Sequence, residues 1–104
     1  MKKILIILSL IFTIAGYSQY EVIHINSAWN IRNNVNLDGL KNAKVKYILL
    51  EDQVPSFKKQ IKSVPTILIL YNGKPRGQWS GGIALKLKVT KEDIENHIEK
   101  LKAQ

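Results

Sequence analysis

The stretch V-P-T-I-L-I-L-Y-N-G, residues 64–73, decides how this chain folds. Its Thr66–Tyr71 portion is a continuous run of β-branched and apolar residues of strand length, which is typical of a buried strand. Asn72 and Gly73 form a dipeptide that strongly favours a two-residue hairpin turn. We therefore predict an antiparallel partner strand over residues 74–79, with Pro75 confining that strand to a sheet edge.

Two more strands are expected upstream of this hairpin. Residues 20–26 mix β-branched and aromatic residues and predict a strand whose core face carries Val22 or Ile23 together with Ile25. Residues 45–50 are almost continuously apolar, which predicts a strand buried on both faces of a parallel sheet.

The segments between the strands carry helical signals of unequal quality. Residues 54–62 contain Pro55 at a helix-start position and predict a short helix. The connection between the first two predicted strands holds five asparagines, which compete for backbone hydrogen bonds. A short or irregular helix is expected there, with its most regular part at residues 37–43. Thr90 with Asp93 predicts the capped start of a last helix. Its apolar stripe comprises Ile94, Ile98 and Leu101. The expected order is β-α-β-α-β-β-α, an α/β fold with a central four-stranded mixed sheet flanked by helices.

The N-terminal segment has the pattern of a secretory signal peptide. A positive start at residues 1–3 is followed by an apolar run over residues 4–16, with small residues before Gln19. We predict a signal peptide at residues 1–18, cleaved before a single domain at residues 19–104, with no membrane span after its removal. The alternative, a retained anchor, is less favoured because the apolar run is short for a bilayer. The expected location is the periplasm, the cell envelope or outside the cell.

The composition excludes several classes of chemistry. The chain has no cysteine and only two histidines, His24 and His97, so neither a metal site nor a cofactor is expected. Glu51 and Asp52 are adjacent at a predicted strand end and point to opposite faces, which does not suit shared acid–base work.

The formal net charge is +8, yet the basic residues are spread along the chain. Lys86 and Lys88 alternate with apolar residues and predict an exposed strand or an extended loop with a basic face over residues 84–89. No aromatic residues interleave with this charge, so nucleic-acid binding is not expected.

The block at residues 64–73 and the S-A-W sequence ending at Trp29 resemble the thioredoxin superfamily. The resemblance implies a minimal thioredoxin-like fold that lacks the optional N-terminal strand and helix. It also implies a cis peptide bond between Val64 and Pro65, in a loop that pairs with extended peptides.

The same resemblance places Asn30 and Asn33 where the family has its two redox cysteines, and His24 where it has a buried acid. A carboxamide is neither ionisable nor nucleophilic, whereas thiol–disulfide exchange needs a reactive thiolate. The sequence therefore predicts a redox-inactive member that is not an enzyme.

We expect binding of a protein or peptide partner as the remaining role. The candidate contact residues are Trp29, Asn30, Arg32, Asn33, Val64, Pro65, Lys86 and Lys88. The alternatives are a structural subunit of a larger envelope or virion assembly, and a protein related to redox thioredoxins by descent only. The sequence names neither the partner nor the oligomeric state.

Overall fold

A computed structural model describes residues 19–104 of the chain. The strands are β1 (Tyr20–Asn26), β2 (Ala43–Leu49), β3 (Thr66–Tyr71) and β4 (Lys74–Ser80), and the helices are α1 (Pro55–Lys58) and α2 (Lys91–Lys102). Short 3₁₀ turns occupy Ala28–Asn33, Leu50–Asp52 and Gly82–Ala84. The signal peptide expected at residues 1–18 lies outside the described residues.

The strands form one mixed sheet in the order β2-β1-β3-β4. β1 runs parallel to β2 and antiparallel to β3, and β3 pairs with β4 across the turn at Asn72 and Gly73. Both turn residues have positive φ, 53° and 79°, as this tight hairpin requires. The register shifts between Ile69 and Leu70, opposite Pro75, which has no N–H to donate to the ladder. The predicted four-stranded mixed sheet is confirmed.

The sheet separates two apolar layers. One contains the buried residues Ile23, Ile25, Phe57, Ile61, Val64, Leu68 and Leu70. The other contains the buried residues Val22, Leu37, Ile67, Ile69, Ile94 and Ile98. β1 and β3 contribute to both layers, because they occupy the two central positions of the sheet. The sequence predicted one buried face for β1, whereas the structure buries both of its faces.

β2 is an edge strand, and the prediction that both of its faces are buried was wrong. It pairs with β1 alone, so its other side has no neighbouring strand among residues 19–104. Ala43 and Val45 are half-buried, whereas Lys44, Lys46 and Tyr47 are exposed. An apolar run of strand length does not reveal its place in the sheet, which is set by how the other strands connect.

α1 is shorter than the helix predicted over residues 54–62. After Lys58 the chain continues in tight turns, in which Gln60 N donates to the Phe57 carbonyl at 3.0 Å and Ile61 N donates to that of Lys58 at 3.2 Å. These bonds span three residues rather than four, which brings Ile61 into the core beside the buried Phe57.

α2 begins with the predicted capping box. The Thr90 hydroxyl accepts a hydrogen bond from Asp93 N at 3.1 Å, and the Asp93 carboxylate accepts one from Thr90 N at 3.0 Å. Ile94 and Ile98 are fully buried and Leu101 is half-buried, so the predicted apolar stripe faces the sheet.

Residues 37–43 do not form the predicted helix. Side chains from the sheet bond this connection instead: His24 Nε2 accepts from Val35 N and Tyr47 Oη accepts from Leu37 N, both at 2.9 Å. Two further N–H groups, those of Asp38 and Lys41, donate to the side chains of Asn36 and Glu95. These bonds replace the helical ladder that an asparagine-rich sequence forms poorly.

Of the two forms predicted for residues 84–89, a strand or an extended loop, the structure has the loop. The turn Gly82–Ala84 is followed by Leu85 in the left-handed region, with φ 57°, and the chain then runs on unpaired to Thr90. The alternation is nevertheless visible in the burial. Lys86 and Lys88 are exposed, while the apolar residues that alternate with them, Leu85, Leu87 and Val89, are half-buried.

His24 links the sheet to the connection that follows the first 3₁₀ turn. Its ring is 1% exposed and lies 5.0 Å from the ring of Tyr47. Since Nε2 accepts from Val35 N, the ring is neutral with its proton on Nδ1. Burial lowers the pKa of His24 below 6.5, against a smaller opposing effect of a backbone hydrogen bond.

We expect acidification to destabilise the fold through His24. The unfolded chain takes up a proton near pH 6.5 and the folded chain only at lower pH, so the contribution is full above pH 6.5 and is lost below it. Urea unfolding between pH 8 and 5 measures this, with His24→Gln as a non-titrating control that retains an acceptor for Val35 N. Equal losses of stability in both proteins would contradict the assignment.

Candidate functional site

The 3₁₀ turn Ala28–Asn33, called here the Trp29 turn, follows directly from the central strand β1. The Trp29 side chain is 69% exposed, while the neighbouring Asn30 is only 5% exposed. Asn30 also interrupts the helical geometry, with φ −114° and ψ 18°. This kink turns the Asn30 carboxamide inward and leaves the indole of Trp29 on the surface.

Four asparagines form a hydrogen-bonded cluster beneath the Trp29 turn. Asn26 Nδ2 donates to the Asn30 carbonyl at 2.9 Å and to Asn34 Oδ1 at 2.6 Å. Asn30 Nδ2 donates back to Asn26 Oδ1 at 3.0 Å, and Asn30 Oδ1 accepts from Asn33 Nδ2 at 2.7 Å. Among residues 19–104 no buried side-chain nitrogen or oxygen lacks a partner, so the polar groups of this cluster are satisfied.

The asparagine cluster also reaches the segment after β4. Asn30 Nδ2 donates to the Leu85 carbonyl at 3.2 Å, a contact that joins residues far apart in sequence. The two positions where the resemblance expects cysteines thus hold carboxamides that are used for structure. Asn30 is buried and Asn33 is half-buried, whereas Arg32 on the same turn is exposed.

The loop before β3 packs against the same segment. The Val64–Pro65 peptide bond is cis, as the resemblance implied. Gly81 N donates to the Pro65 carbonyl at 2.9 Å, and Gly82 N donates to Ser63 Oγ at 3.1 Å. A Cβ on Gly81 would lie 3.0 Å from Pro65 Cδ and 3.1 Å from the backbone nitrogen of Lys86, so only glycine permits this close packing.

A groove of about 630 Å³ lies where the Trp29 turn, the cis-proline loop and the segment after β4 meet. Its lining residues are Ser27, Trp29, Leu50, Ile61, Lys62, Ser63, Val64, Gly82, Ile83 and Leu85. Of the residues predicted from sequence, Trp29 and Val64 line the groove. Pro65 and the Lys86 backbone are not in the lining and pack against Gly81. Lys88 lies further along the chain.

Sequence reasoning missed most of the groove. Ile83 is fully exposed at 103%, and an isoleucine directly after two glycines was the one local signal that it faces solvent. Leu50, Ile61 and Leu85 reach the groove through turns, which periodicity does not locate.

The electrostatics of the groove are dominated by one cation. Lys62 is the only charged residue in its lining. Glu51, which lies just outside the lining, accepts a hydrogen bond from Ala28 N at 2.9 Å. This bond is the largest cause that holds the pKa of Glu51 below its usual value, so the carboxylate is charged and already bonded.

A second cavity of about 680 Å³ lies at the opposite end of the sheet. Its lining residues are Gln19, Tyr20, Asn42, Tyr71, Arg76, Leu101, Lys102 and Gln104. Within residues 19–104 no group of three or more histidine or acidic side chains is placed to hold a metal ion. In the same part of the chain, no helix combines the length and the apolar character needed to cross a membrane.

Removal of the Asn30 carboxamide should destabilise the domain. Asn30→Ala removes the donor that bonds Asn26 Oδ1 and the Leu85 carbonyl, which we expect to cost about 1–3 kcal/mol in the free energy of unfolding. Asn36→Ala, at an exposed site with one local bond, should cost less than about 1 kcal/mol. Chemical denaturation measures both, and equal losses would show that the cluster contributes nothing beyond ordinary surface asparagines.

Comparison with known proteins identifies the fold. No family model and no curated protein matches the chain. A mutant thioredoxin from Halobacterium salinarum NRC-1 is 12% identical, with a TM-score of 0.62 over 86% of this chain and 80% of that chain. A designed protein is 16% identical, with a TM-score of 0.58 over 90% of each chain. Thioredoxin from Plasmodium falciparum is 13% identical, with a TM-score of 0.51 over 97% of this chain and 91% of that chain.

These likenesses concern the fold. Thioredoxin-type exchange requires a thiolate, and the sequence contains no cysteine to supply one. The chain therefore has a thioredoxin-like fold without the thiol chemistry of thioredoxins.

Proposed function

We propose that this domain is an exported, non-catalytic module that binds an extended segment of a partner protein in the groove. The observation that carries the proposal is the exposure of two large apolar side chains, Trp29 at 69% and Ile83 at 103%, on one groove. Exposed apolar surface that lines a concave site is typical of a binding surface, and aromatic residues at its centre supply most of the affinity.

The backbone of Val64 supports the extended shape of the bound segment. Val64 lines the groove immediately before β3, and no hydrogen bond within residues 19–104 uses its N–H or C=O. An extended peptide laid beside it would pair with these two groups as an added strand does. The side chains of such a peptide would alternate between the groove and solvent.

The side chains around the groove support the proposal of a non-catalytic role. Ser27 and Ser63 are the hydroxyl groups in its lining, and neither histidine lines it to act as a base. The asparagine cluster engages the carboxamides of Asn30 and Asn33 in structural hydrogen bonds. This set of residues supports the binding of a partner rather than the catalysis of a reaction.

Export is proposed from the N-terminal pattern of a positive start and an apolar run before Gln19. Expression in a host that secretes the protein, followed by intact-mass measurement, tests it. A mature chain that starts at Gln19 is the expected product. A chain that still starts at Met1 would contradict cleavage.

The groove is tested with short capped peptides that carry a valine- and leucine-rich centre. We expect binding to shift the NMR signals of Trp29, Val64 and Ile83. Trp29→Ala should weaken the affinity by about thirtyfold or more, because a buried aromatic contact contributes about 2 kcal/mol or more. Val54→Ala, which changes a 49% exposed residue outside the lining, is the matched control and should bind as the unchanged protein does.

Two results would overturn the groove as the binding site. One is unchanged affinity in Trp29→Ala, and the other is the lack of binding to any apolar peptide. A folded Trp29→Ala variant, shown by the same NMR spectrum away from the groove, is required for the comparison.

A further inference from the structure

We infer that the groove selects a partner segment whose apolar centre is flanked by acidic residues. This inference rests on the proposed function, and it adds the chemical class of the segment. Apolar side chains would occupy the groove between Trp29 and Ile83, and carboxylates at the ends of the segment would meet lysines at its border. The charges of the described residues carry the argument.

Four of the eight acidic side chains of the domain accept internal hydrogen bonds. Glu95 accepts from Lys41 N at 2.8 Å, and Glu99 accepts from Asn42 Nδ2 at 2.7 Å. The carboxylate of Asp93 caps α2, and that of Glu51 accepts from Ala28 N. These carboxylates remain charged, but the whole sequence has 8 acidic against 16 basic residues, so positive charge is in excess.

Lys62 lines the groove, and Lys86 directly follows the lining residue Leu85. Lys62 is exposed and lies three residues before the cis-proline. The backbone nitrogen of Lys86 would lie 3.1 Å from a Cβ built on Gly81, so Lys86 packs closely against that glycine. The side chain of Lys86 is exposed. The groove lining contains no acidic residue, so a peptide with carboxylates next to its apolar centre meets attraction there without a competing carboxylate in the lining.

These charges set selectivity rather than most of the affinity. Exposed ion pairs each change binding by about a factor of two to five and are screened by salt, whereas the apolar contacts are not. A peptide that pairs with both lysines should therefore bind about tenfold more tightly than a neutral one at low salt. The advantage should shrink as the salt concentration rises.

The experiment uses three capped peptides with the same valine- and leucine-rich centre, flanked by glutamates, serines or lysines. Binding is followed by calorimetry at low and high salt. We expect affinity to fall in the order glutamate, serine, lysine. The double variant Lys62→Glu/Lys86→Glu should invert this order.

The matched control is Lys100→Glu/Lys102→Glu. It changes the net charge by the same amount in the exposed last turn of α2, at the end of the sheet away from the groove. The order of the three peptides should persist in this control, with only a small uniform weakening of the glutamate peptide.

The outcomes separate this inference from the proposed function. If the serine peptide binds in a Trp29-dependent way and glutamate flanks add nothing, the groove stands and the acidic preference is wrong. If the two double variants act alike, or the glutamate peptide binds Trp29→Ala unchanged, attraction is non-specific and the inference fails. If no peptide binds, both the groove and its selectivity are wrong.

Discussion

The exchange of hydrogen bonds between Asn26 and Asn30 is the interaction on which the site depends. It fixes the Trp29 turn to the end of the central strand, and the further bond from Asn30 to the Leu85 carbonyl draws in the chain after β4. Buried amides are stabilising only when all of their polar groups are paired, and these are. The groove between Trp29 and Ile83 is the surface that results.

The central part of the fold was readable from sequence because its signals are local. The apolar run of β3, the Asn72-Gly73 turn and the capping box at Thr90 each depend on neighbouring residues, and all three appear as predicted. Two errors had non-local causes. The burial of β2 depends on its place in the sheet, and residues 37–43 are held by the distant side chains of Tyr47 and Glu95 instead of by a helix.

The site was predicted in part for the same reason. The resemblance correctly predicted the cis bond before Pro65, because this proline belongs to a recognisable short motif. It also put Trp29 near that loop, and Trp29 and Val64 line one groove. The burial of Asn30 could not be predicted from the sequence, since an asparagine suits an exposed turn as well as a buried cluster. Its inward orientation depends on Asn26 and Leu85, which approach only in the folded chain.

The way in which residues 34–42 are held has a consequence for their motion. An ordinary helix can fray while the rest of a domain stays folded, because its hydrogen bonds are its own. Here the amide of Val35 is tied to a side chain of β1 and that of Leu37 to a side chain of β2. We therefore expect these two amides to belong to the same cooperative unit as the sheet, so that their protons exchange only when the strands themselves separate.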